Sequence, residues 1–87
     1  MLTQKVIIEN THGLHLRVAA QIVETCQKYQ AHVLLCKHCQ HANGCSVIDL
    51  LMLDAHRGTE LNLVVDGRDE SKALAALAEV FERGGGI

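Results

Sequence analysis

Asn10-Thr11-His12-Gly13-Leu14-His15-Leu16-Arg17-Val18-Ala19-Ala20 is the stretch around which the other segments arrange themselves. A strand-like run, Lys5 to Glu9, ends just before it. Gly13 marks a turn, because glycine takes positive φ at little cost. After Leu16 the apolar residues fall at Ala19, Ile22, Val23 and Cys26, the spacing of one helix face. This predicts a helix from Leu16 to Lys28, with His15 at or next to its N-cap. Free backbone N–H groups there point out of the helix, and the macrodipole is positive. An anion placed on the His15 ring meets ready donors in such a position.

Arg17 sharpens the reading. A cation in the first turn opposes the dipole, at a cost of about 0.3–1 kcal/mol. It makes better sense where a negative group must be gripped, since guanidinium matches phosphate oxygens in a bidentate way. The same dipole disfavours imidazolium, so a neutral, nucleophilic His15 is expected. A neutral imidazole, the N–H groups of Leu16 and Arg17, and the Arg17 guanidinium suit the carriage of a phosphoryl group.

Gly13-Leu14-His15-x-Arg17-x-Ala19-Ala20 resembles the active-site signature of the HPr family. These are histidine-containing phosphocarriers of the bacterial sugar phosphotransferase system. The resemblance spans essentially the whole chain without gaps. It implies that His15 accepts a phosphoryl group from enzyme I and passes it to enzyme IIA domains, steadied by Arg17. It also implies a carrier rather than an enzyme, the partners supplying most of the catalysis, and it calls for no cofactor. Two residues depart from the family pattern. Val18 stands where proline is usual, which restores an N–H that proline lacks. Leu16 is larger than the usual alanine or threonine and sets an aliphatic side chain beside His15.

Size and composition fit this. The 87 residues suffice for one domain, with 84–87 as a frayed tail. A domain this small buries only about 60% of its unfolded surface. With one Tyr, one Phe and no Trp, its core must be aliphatic. Lys and Arg are scattered and the net charge is −2, which argues against a nucleic-acid footprint. No run is long and apolar enough for a signal peptide or a membrane span, so a cytoplasmic protein is expected. The four cysteines, Cys26, Cys36, Cys39 and Cys45, are then expected as thiols.

The rest of the chain reads as follows. Val6 and Ile8 alternate with Lys5, Ile7 and Glu9 in a first strand with one buried face. A second strand is predicted from Ala31 to Cys36, with Val33 and Leu35 inward. A tight connection at Lys37-His38 leads to a third, Cys39 to Asn43. Ser46-Val47-Ile48-Asp49 opens a short helix in the manner of a capping box. Leu61, Leu63 and Val65 alternate with Glu60, Asn62, Val64 and Asp66 in a fourth strand. Gly67-Arg68-Asp69 turns into the last helix, which Asp69 is placed to cap. There Leu74, Leu77, Ala78 and Phe81 form the buried stripe, and Glu79 pairs with Arg83. Glu24 and Lys28 form a similar pair on the first helix. The order βαββαβα is α+β. Two amphipathic helices covering one face of a four-stranded sheet would bury both stripes; periodicity leaves the strand order open. The family resemblance implies an open-faced antiparallel sandwich.

Leu14, Leu16, Val47, Ile48 and Leu51 are the candidates for a shared docking surface, because a short helix cannot bury so continuous an apolar run. Ser46 lies where the family carries a regulatory serine, the target of an HPr kinase/phosphorylase. Asp49, one turn on, would repel a phosphate there. The alternative reading, for which Leu16, Val18 and Asp49 leave room, is a regulatory binding module that signals through Ser46 or unphosphorylated docking and carries little phosphoryl flux. A third is a metal-binding or redox protein using Cys36, His38, Cys39 and His41. Zinc favours these residue types, but the spacing is poor.

Overall fold

The computed structural model describes residues 1–9 and 12–83, the last of these by its backbone alone. Asn10, Thr11 and the expected tail at 84–87 lie outside the described residues, as does the Arg83 half of the expected pair with Glu79. The elements are β1 (Leu2–Ile7), α1 (Leu16–Lys28), β2 (His32–Lys37), β3 (Gln40–Asn43), α2 (Val47–Met52), β4 (Glu60–Asp66) and α3 (Glu70–Arg83). They follow the expected βαββαβα order.

The four strands form one antiparallel sheet in the order β1-β4-β2-β3. Period-2 alternation sends Val6, Val33, Leu35, Ala42, Leu61, Leu63 and Val65 to one face, where all are buried. The helices supply the other half of this core through Val18, Ala19, Ile22 and Cys26 of α1, Leu50 of α2, and Ala73, Leu77 and Phe81 of α3. The result is an open-faced α+β sandwich of sheet and three helices. Apart from Cys26 and Phe81 its packing side chains are aliphatic, in keeping with the scarcity of aromatic residues.

Several boundaries move. β1 begins at Leu2 rather than Lys5, because its ladder to β4 already starts with Leu2 opposite Val65. Ile8 leaves the ladder yet stays buried, tied by its N–H to the Thr59 carbonyl at 3.0 Å and by its carbonyl to the Gly58 N–H at 2.7 Å. Lys37 pairs with Gln40, so the hairpin loop is His38-Cys39 and β3 starts one residue late. His38 takes φ 53°, a region histidine enters more readily than most residues. α3 is rotated from the expected stripe: Ala73 is fully buried, while Leu74 and Ala78 are only partly so. Asp69 does not spend its carboxylate on α3. It accepts the Gln30 N–H at 2.9 Å and anchors the α1–β2 connection to the β4–α3 turn. Glu24 and Lys28 do pair, at 3.9 Å. No described helix is long and apolar enough to cross a membrane.

Candidate functional site

The site begins with the turn before α1. Gly13 has φ 69°, and a Cβ there would collide with the Ala55 carbonyl oxygen. The next amide, Leu14 N–H, donates to that same oxygen at 2.8 Å. The loop after α2 thus clamps the chain just ahead of the helix. This closeness also buries Leu14, which is 6% exposed. Leu14 therefore drops out of the docking surface expected from sequence; it is a core residue that pins the loop.

His15 follows in extended conformation, φ −100° and ψ 179°, and is the N-cap of α1. Its carbonyl accepts the Ala19 N–H at 2.9 Å, which starts the helix. Its ring also acts as the capping group: Nδ1 accepts the Arg17 N–H at 3.3 Å. An amide can only donate, so Nδ1 presents a lone pair and the proton of the neutral ring resides on Nε2. The two nitrogens face different surroundings. The Nδ1 contact is exposed, whereas Nε2 is buried with no hydrogen-bond partner among the described residues. The chemistry of the ring is thereby confined to its Nδ1 edge, at the positive end of the helix.

Arg17 is exposed in the first turn, which holds no acidic side chain. His12 was not singled out from the sequence. Its ring lies edge-on to His15, with centroids 6.0 Å apart and planes at 82°. The only signal for it was the presence of two histidines flanking Gly13-Leu14.

α2 lies against α1 and carries the other predicted residues. Ser46 is its N-cap, and the hydroxyl accepts the Asp49 N–H at 3.3 Å. The reciprocal half of the capping box is missing. The Asp49 carboxylate instead accepts the Asn43 N–H at 3.4 Å. At the other end of α2, Lys37 Nζ donates to the Leu53 and Asp54 carbonyls, each at 3.0 Å. Leu16 is 63% exposed, Ile48 69% and Met52 74%, with Leu51 at 36%. Val47 is half-buried against the core. Apolar side chains are thus presented to solvent from both helices, and Met52 joins the expected set.

The cysteine and histidine cluster is only partly assembled. Cys36 and His41 face each other across β2 and β3, with Sγ and Nδ1 3.1 Å apart. His38 and Cys39 occupy the hairpin loop. Among the described residues no group of three or more His, Cys, Asp or Glu side chains is arranged to hold a metal ion. All four cysteines are free thiols.

Comparison with known proteins agrees with this architecture. The family profile described as "PTS HPr component phosphorylation site" matches residues 2–83. Phosphocarrier protein HPr of Xylella fastidiosa is 37% identical over 82 residues, covering 94% of this chain and 92% of its own. Phosphocarrier protein NPr of Klebsiella oxytoca is 40% identical over 82 residues, covering 93% and 91%. The crystal structure of HPr from Thermoanaerobacter tengcongensis superposes with a TM-score of 0.94 at 30% identity, covering 100% of this chain and 98% of that one. On the strength of a histidine-capped helix, an open-faced sandwich and these full-length matches, the chain belongs to the HPr family of phosphocarrier proteins.

Proposed function

We propose that this protein relays a phosphoryl group from enzyme I to enzyme IIA domains of the sugar phosphotransferase system, with His15 Nδ1 as the acceptor. The observation that carries this reading is the hydrogen bond from the Arg17 N–H to His15 Nδ1, set against the burial of Nε2. The Nδ1 lone pair forms the N–P bond as the bond between phosphorus and the donor's leaving group breaks. The Arg17 amide then turns from the ring to a phosphoryl oxygen, joined by the Leu16 amide and the Arg17 guanidinium. Charge that develops on the oxygens meets donors already gathered at the start of the helix. Onward transfer reverses the step: a nucleophile of the enzyme IIA domain forms its bond to phosphorus as the N–P bond breaks and the electron pair returns to Nδ1. Leu16, Ile48, Leu51 and Met52, with the edge of Val47, form the face on which enzyme I and the enzyme IIA domain dock in turn. Ser46 serves as a helix cap in this reading and lies outside the relay.

Incubation with enzyme I and phosphoenolpyruvate tests it. One phosphoryl group per chain is expected, lost in acid and retained in base. His15→Ala abolishes uptake and Ser46→Ala does not. Absence of uptake, or uptake that survives His15→Ala, overturns the reading. The NPr likeness makes the nitrogen-related branch the competing destination; transfer to its own IIA domain faster than to a sugar IIA domain would redirect the proposal there.

A further inference from the structure

Far from His15, two thiols from distant parts of the sequence meet. Cys26 lies in the last two turns of α1 on its buried face. The turn between β3 and α2 crosses directly over it. That crossing depends on Gly44, which is buried and donates its N–H to the Val33 carbonyl at 2.8 Å. A Cβ on Gly44 would stand 2.7 Å from Val33 Cγ1 and 3.0 Å from Cys26 Sγ, so only glycine lets the backbone come down so far. The next residue is Cys45, exposed, with its N–H fixed by the Asn43 side-chain oxygen at 2.8 Å. Gly44 so close to Cys26 Sγ places the next residue, Cys45, beside the Cys26 thiol. One is open to solvent and the other is sealed beneath it.

We infer that Cys26 and Cys45 are an oxidisable pair, closing to a disulfide that staples the end of α1 to the turn just ahead of Ser46. The oxidant is a peroxide. Exposed Cys45 attacks it as thiolate, breaking the O–O bond to give a sulfenic acid and hydroxide. Cys26 Sγ then attacks the Cys45 sulfur and the S–O bond breaks. The departing hydroxide takes the Cys26 proton and leaves as water. In sum, two thiols and one hydrogen peroxide give one disulfide and two waters. The order of events follows from burial, which pushes the Cys26 thiol up to about 12, aided by the neighbouring Cys45. Cys26 is therefore a protonated resolving thiol rather than the first to react. The arrangement matters because the chain's other close cysteine pair, Cys36 and Cys39, is separated only by a hairpin turn and would constrain little chain.

Hydrogen peroxide treatment of the intact reduced protein, followed by mass spectrometry without reduction, tests this. A loss of 2 Da is expected, with the Cys26 peptide joined to the Cys45 peptide. The oxidised monomer should melt about 10 °C or more above the reduced one, a gain reversed by dithiothreitol. Cys45→Ser, at an exposed position, should lose both the cross-link and the gain, whatever the fate of the more disruptive Cys26→Ser. A Cys36–Cys39 link with Cys26 left free overturns the inference. So does a covalent dimer through Cys45, or conversion of Cys45 to sulfinic acid beside an unreacted Cys26.

Discussion

His15 and Gly13 carry most of the site's specificity, and they do so by opposite means. His15 uses a side chain as a helix cap, a task that Ser, Thr, Asp or Asn normally performs. A capping imidazole holds its lone pair where the helix amides converge, so the capping atom is the one that the proposed relay uses as nucleophile. Gly13 contributes by having no side chain. Gly13→Ala places a Cβ against the Ala55 carbonyl in a conformation with φ 69°. It should cost about 1–3 kcal/mol in urea unfolding and displace the His15 ring, lowering the phosphorylation rate as well. A stability unchanged from the parent would show that the loop does not depend on this approach. The placement of His15 at the N-cap and of Arg17 in the first turn was legible because both are local features of one short stretch. The burial of Leu14 and of His15 Nε2 was not. The first depends on how the Ala55 segment closes from about 40 residues away, which no local period records.

Among the elements, α2 shows how a sequence pattern is read correctly in outline and incorrectly in detail. Ser46 caps it as expected, but Asp49 turns to Asn43 instead of closing the box. Ser46→Ala should therefore lose only the serine half of the cap, about 1 kcal/mol by chemical denaturation, and leave phosphoryl uptake intact. A loss of uptake would tie Ser46 to the relay instead. α1 was readable in its bounds because its apolar residues repeat cleanly over more than three turns. α3 was readable as a helix but not in its rotation. Its sequence is rich in Ala and Leu on several sides, so the periodicity left open which alanine would approach the sheet. The hairpin register slipped by one residue for a related reason: no Asn-Gly or Asp-Gly fixes the loop, and the pairing of Lys37 with Gln40 decides it.

Over the whole molecule, alternation named the buried face of β1, β2 and β4, yet the order β1-β4-β2-β3 comes from contacts that alternation does not encode. That order matters for function. It brings all three helices to one face and leaves α1 and α2 side by side. The capped imidazole and the exposed apolar residues of α2 are then carried by adjoining elements. A small aliphatic core suffices to hold this, because the site itself demands little: one ring, one guanidinium and the amides that any helix start provides.

The most direct measurement is nuclear magnetic resonance of the intact protein with ¹⁵N-labelled histidine, after phosphorylation by enzyme I and phosphoenolpyruvate, reading which nitrogen couples to phosphorus. Coupling to Nδ1 of His15 alone is the expected result. Coupling to its Nε2, or a phosphoryl group on any other residue, would contradict a relay built on the lone pair that the Arg17 amide holds in place.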